Sequence, residues 1–234
     1  MAGKMTDNSP SDLLKFISEI NNDYRKKIGK IPLFNKKNSH VWNENEIKKF
    51  AAIFYHVRAY FIDFMWYLAN FTDNKEIKAI ILKNISEELG VSGKISHEKL
   101  YEIFANECGV DIQSEIINKN NYLNFAKQFN EKHLHWLSQY GIHEQFAAFS
   151  AYEKLDNIDY KYLLELATSF KLSEKALTFF RVHIHVEHFE TTWETLVKSW
   201  EIYPEKVKLG FNFIYSHQYK MWQQLSDTIL IKTN

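Results

Sequence analysis

Only seven glycines and three prolines are spread over the 234 residues of this chain. Folds built from many tight turns need far more of both, because glycine supplies positive φ and proline presets turn geometry. Such scarcity favours long helices with few breaks and argues against an all-β sandwich. The hydrophobic periodicity agrees. Ser11 is positioned to cap a helix with Leu13, Leu14, Ile17 and Ile20 on one face, ending near Gly29. After a loop through Pro32 and Trp42, Asn43 opens one long helix in which Ile47, Phe50, Phe54, Val57, Phe61, Phe64, Leu68 and Phe71 recur at three- and four-residue steps. Further helices are expected over 74–89, 97–106, 111–118, 121–139, 143–156, 159–170, 173–203 and 205–229, the last weakly interrupted by Gly210. The expectation is an all-α, single-domain helical bundle of seven to nine helices spanning 1–234, with 1–10 disordered.

Lys plus Arg equals Asp plus Glu at 29 each, so no global field draws the chain to nucleic acid or to an anionic membrane. Cys108 is the single cysteine, which excludes an intrachain disulfide and a cysteine-based zinc cluster. The first ten residues are polar, without the apolar segment of a signal peptide. The most apolar stretch, 50–71, is interrupted by His56, Arg58 and Asp63 and reads as a buried helix rather than a membrane span. A cytoplasmic location without nucleic-acid or membrane partners is therefore expected. The sequence has no glycine-rich phosphate loop, dinucleotide fingerprint or nucleophile elbow, and neither His-Glu-x-x-His nor Glu-x-x-His occurs.

Three segments carry the chemistry. His183, Glu187 and Glu190 stand at i, i+4 and i+7 and rise along one helical face, while His185 and His188 form a second face with Arg181. A π-bulge would bring His188 round to the first. Ionisable groups flanked by Phe179, Phe180 and Trp193 are costly to bury unless something pairs with them, and a shared metal ion would do so. Glu153 shares its face with Phe146, Phe149 and Ser150; taken alone, it reads equally as a helix-end carboxylate paired with Lys154 or Lys161. Glu88 lies on the Ile81/Ile85 face and Glu87 nearer Lys83, so Glu88 is preferred as the inward acid. The Gly90–Gly93 break would fold His97 back toward it; an acidic helix end beside a surface histidine is the alternative.

Read together, these segments resemble the haem-oxygenase-like diiron oxidases and oxygenases. The shared pattern is Asn84, Glu88, Gly90 and His97, then Ala151-Tyr152-Glu153, then Phe179-Phe180 with His183 and Glu187, covering roughly residues 45 to 205. The chain departs from it twice: Glu187 stands where the family usually has aspartate, and Glu190 where it has a final histidine, with His188 two residues before. The resemblance implies a haem-oxygenase fold without haem, two Fe2+ ions, and O2 as co-substrate. In the ligand scheme it implies, Glu88 and His97 serve the first iron and His183, Glu187 and either Glu190 or His188 the second, with Glu153 bridging and Glu87 in reserve. It also implies a small amino-acid-like substrate, an external electron donor and a homodimer. Within the family, the overall cast looks most like the nitrile synthase acting on a halogenated tryptophan; N-oxygenation and oxidative carbon–carbon cleavage are other known outcomes. Trp42, Tyr55, Phe61, Phe64 and Trp66 would suit an indole pocket, or serve as plain core. Two competing readings are a metal-free thiamin-salvage-type hydrolase, which would need Cys108 as nucleophile, and a non-catalytic helical interaction module.

Overall fold

The computed structural model describes residues 10–35, 41–91, 93–185 and 188–230, apart from the side chain of His185. The first helix, α1 (Ser11–Ile28), departs slightly from expectation: Ser11 is its first residue, and Pro10 holds the cap position without a side-chain bond. Four later helices begin where a short polar side chain caps them. Asn43 accepts from the Glu46 amide and Glu46 accepts from the Asn43 amide, opening α2 (Glu44–Arg58). Past α3 (Phe61–Phe71), Asn74 opens α4 (Lys75–Glu88), Ser96 opens α5 (His97–Glu107) and Asp111 opens α6 (Ile112–Asn118). Losing one such cap costs about 1 kcal/mol. The remaining helices are α7 (Asn124–Gln139), α8 (Ile142–Ser169), α9 (Thr178–His185), α10 (His188–Ile202) and α11 (Pro204–Leu230). No strand occurs among the described residues, and the architecture is all-α.

Segmentation differs from the periodicity in three places. The helix expected over 43–71 breaks at Ala59 and Tyr60, where Tyr60 takes φ −89 and ψ 1. The one expected over 173–203 begins only at Thr178, after a turn over 174–177. With α2 and α3 counted together, and α9 and α10 counted together, the segments among the described residues make nine helices, within the expected seven to nine. Conversely, 143–156 and 159–170 are one helix, because Asp156 and Asp159 are not a solvated break. Asp156 pairs with Arg58, and Asp159 accepts from Tyr24 Oη and Trp222 Nε1.

α8 is the central element. Its ten consecutive residues Glu144–Glu153 are all buried, so every side of it faces protein. It packs most extensively on α11, then on α9 and α10. Gly210 does not interrupt α11; it lets the two backbones approach, since an added Cβ would lie 2.6 Å from Glu144 O and 2.7 Å from Ala148 N. Fully buried rings, including Tyr24, Phe50, Phe54, Phe104, Phe180 and Trp222, fill the surrounding core. Each contributes about 2–3 kcal/mol at most. Of the aromatics that suited core or pocket, Phe61 and Phe64 are buried, whereas Trp66 is 41% exposed.

No helix among the described residues is long and apolar enough to cross a membrane. Two of the charges that interrupt the apolar stretch are themselves paired: His56 lies 2.7 Å from Glu115, and Arg58 lies 2.8 Å from Asp156. The disorder expected over 1–10 falls, except for Pro10, outside the described residues.

Candidate metal centre

The centre begins at the end of α4. Gly90 adopts φ +68, and a Cβ there would meet Lys94 O at 2.5 Å and Ser96 N at 2.8 Å. Only glycine accepts both the left-handed turn and this close return of the chain. The turn delivers the first residue of α5, placing His97 Nδ1 2.8 Å from Glu88 Oε1. The third group comes from α9, which Phe179 and Phe180 anchor edge-on against Tyr101 and Phe104. His183 Nδ1 donates to Phe179 O at 2.7 Å, which leaves the lone pair on Nε2. Its ring stacks on Tyr160 with centroids 4.0 Å apart and lies 4.4 Å from the His97 ring. One ligand atom from each of Glu88, His97 and His183 lies within 4.8 Å of the others.

These residues fit a metal ion on their own geometry. His97 Nδ1 is buried and close to Glu88 Oε1, yet the pair misses hydrogen-bond geometry. Two donors that share one cation stand in this relation. Burial raises the Glu88 carboxyl, but the neighbouring His97 imidazole outweighs it and brings the pKa to about 2, so the acid is ionised. Burial, followed by the charge of His97, pushes the His183 imidazole well below its usual range, which keeps it neutral. One carboxylate with two imidazoles suits Fe(II).

A second, smaller cavity of about 20 Å³ adjoins the cluster and has room for one ion or water. Glu88 and His183 line it, joined by Glu153, His188, Arg58, Phe61, Asp156 and Asn157. Glu153 is 8% exposed, and its carboxylate has no hydrogen bond among the described residues. Burial, with Asp156 and Glu88 nearby, raises it well above the ordinary carboxylate range. On an unbroken helix His188 would point about 140° away from His183. In the structure both line one cavity.

The expected ligands therefore divide. His183 groups with Glu88 and His97 and also lines the smaller cavity beside His188. Glu87 lies 3.5 Å from His188 Nδ1, outside the three-residue cluster. Glu190 is half-buried and is not part of the lining. Glu187 lies outside the described residues. Asn84 is structural, bonding Ile80 O within its own helix at 2.9 Å.

Arg58 and Asp156 carry weight that the motifs did not reveal. The Arg58 side chain is 10% exposed, its Nη2 lies 2.8 Å from Asp156 Oδ2, and its Nη1 donates to Tyr152 Oη at 2.6 Å and Asp156 Oδ1 at 3.1 Å. The available signal was a lone arginine in an apolar helix, which demands a buried counter-ion. A larger cavity of about 250 Å³ opens over the cluster, walled by Tyr55, Phe61, Ile62, Tyr101, Tyr160 and Phe179, with Glu98 on its lining. Cys108 is not among its lining residues, and burial, then Glu107, pushes that thiol up to about 12.

The backbone is similar to that of a CADD-like protein of unknown function from Nostoc punctiforme PCC 73102, with a TM-score of 0.72 and 16% identity over 96% of this chain and 99% of that one. A second crystal structure of that protein gives 0.69 and 15%, covering 95% and 100%. No curated protein matches the chain. Residues 48–201, well over half of the chain, match the model of a haem-oxygenase-like family described as iron-containing redox enzymes. With an all-α bundle and a carboxylate–imidazole cluster inside the matched region, this chain belongs to that family of iron-containing redox enzymes.

Proposed function

We propose that this protein is an oxygen-dependent, non-haem diiron oxidoreductase that acts on a small amino-acid-type substrate. The convergence of Glu88, His97 and His183 within 4.8 Å carries the reading. Two ferrous ions would supply the electrons that dioxygen needs, and the rest of the chemistry falls to the chain. Glu88, His97 and His183 hold one ion, with Phe179 O fixing the His183 tautomer. Glu153 and His188, on the adjoining cavity, are the leading donors for the second, with Glu187, Glu190 and Glu87 completing the candidate set. The aromatic walls of the larger cavity keep water from the reacting centre and suit an aromatic side chain. Glu98, with no cationic partner among the described residues, suits a substrate ammonium. The specific reaction proposed is oxidation of a tryptophan derivative to a nitrile, with electrons from an external donor. N-oxygenation and carbon–carbon cleavage are the alternatives that product analysis separates.

Anaerobic titration with Fe(II), followed by oxygen exposure with and without candidate amino acids, tests this reading. Bound iron and substrate-accelerated oxygen uptake are expected, and a chain that binds no iron sinks it. Glu153→Ala is expected to abolish turnover while leaving helicity intact; full activity in that variant removes Glu153 from the centre. The hydrolase reading loses support because Cys108 is buried at the end of α5 and away from the cavity wall.

A further inference from the structure

We propose that Asp156 is a latent metal ligand, held off the second cation position by Arg58, so that the two positions bind unequally. This rests on the iron-binding reading above and deepens it. Glu153 and Asp156 stand at i and i+3 on α8, and both line the cavity of about 20 Å³ together with His188, His183 and Glu88. By position, Asp156 is as well placed for a cation there as Glu153. Its two oxygens differ from those of Glu153 in being taken. Oδ2 faces Arg58 Nη2 at 2.8 Å, while Oδ1 accepts from Arg58 Nη1 at 3.1 Å and from Gln218 Nε2 at 3.3 Å.

Arg58 cannot give up its charge. Nor is it free to swing away, since Tyr152 Oη holds it at 2.6 Å and the rings of Phe61, Tyr152 and Tyr160 surround its guanidinium at 5.5, 5.4 and 5.2 Å. A bidentate, ring-enclosed ion pair of this kind keeps its carboxylate from other cations. The Glu88–His97–His183 position draws on none of these bonds and is fully furnished without Asp156. One position is therefore assembled in advance, and the other lacks a carboxylate that lies within its own wall.

Anaerobic calorimetric titration of the whole chain with Fe(II), repeated with Mn(II), tests the assignment. Wild type is expected to bind one equivalent tightly and a second about ten-fold or more weakly. In Arg58→Met the second equivalent tightens about ten-fold or more, because an uncompensated buried carboxylate seeks a cation. The double variant Arg58→Met/Asp156→Asn, which removes the pair without leaving a charge, returns to wild-type affinity. Asp156→Asn alone leaves an unpaired guanidinium on that wall, so the second ion weakens about ten-fold while the first stays within about two-fold; this is the readout should Arg58→Met fail to fold. Two equal equivalents in wild type overturn the inference. So do an unchanged second affinity in a folded Arg58→Met chain, a gain that persists in the double variant, or a second affinity in Asp156→Asn that is unchanged or tighter. Failure of every chain, wild type included, to bind any ion overturns the iron-binding reading itself.

Discussion

At the scale of single residues, the centre consists of groups that the fold alone would not choose. Glu153 is buried beside Asp156 and Glu88, and its carboxylate has no hydrogen bond among the described residues, a placement that costs stability unless a cation relieves it. Glu153→Gln keeps the shape and removes the charge. It is expected to raise the stability of the metal-free chain by about 1 kcal/mol in urea denaturation while weakening ion binding in titration, the trade-off usual at active sites. Gly90 is the opposite case, a residue with no chemistry that the site cannot do without. With a Cβ 2.5 Å from Lys94 O, Gly90→Ala is expected to lose about 2 kcal/mol of stability and to weaken the first ion, as His97 drifts from Glu88. The meeting of Glu88 with His97 was legible in the sequence, because helical spacing and a glycine break define where each must point; that His183 joins them was not, since it depends on how α9 packs on α5. Arg58 and Asp156 were not, because their meaning depends on which turn of α2 meets which turn of α8.

At the scale of elements, α8 decides where everything sits, and it was the element least well read. The polar residues between 153 and 159 looked like the end of one helix and the start of another. Asp156 and Asp159 among them are inward groups paired across the bundle with Arg58, Tyr24 and Trp222. A local polar pattern cannot distinguish a solvated turn from a buried network, since only the tertiary partners differ. The break after Arg58 was likewise invisible, having neither glycine nor proline to mark it. Gly210 misled in the other direction, because a glycine inside a helix signals either weakness or close packing. Here it is packing, with Ala147 Cβ and two backbone atoms of α8 each within 2.8 Å of the Cβ it lacks. Gly210→Ala is therefore expected to destabilise the chain by about 2 kcal/mol despite alanine's better helix propensity, read as a lower denaturation midpoint. A stabilised variant would mean that α11 does not press on α8.

At the scale of the whole molecule, the bundle buries more ionisable groups than the candidate centre accounts for, and this sets its response to pH. His133 and His217, on α7 and α11, lie in one aromatic cluster with Phe64, Phe129, Phe213 and Tyr152. The two imidazole centroids are 5.6 Å apart. Burial, aided for His133 by its neighbour, pushes His133 well below its usual range. Burial likewise brings His217 to about 4, with Lys132 and Lys220 acting in the same direction against its bond to Phe129 O. In the unfolded chain a histidine titrates near about 6.5. Between those values the unfolded state binds more protons, so stability falls as pH drops from about 6.5 toward about 4 and is regained as pH rises. For His217 alone the loss between about pH 7.5 and about pH 5 amounts to roughly 2 kcal/mol. His217→Gln removes the titrating group while keeping a donor near Phe129 O. Urea denaturation of the metal-free chain across that interval should therefore give a flatter profile for the variant than for wild type, by about that amount. Parallel profiles would mean that the α7–α11 cluster opens to solvent before its histidines take up protons, and that acid acts on the bundle elsewhere.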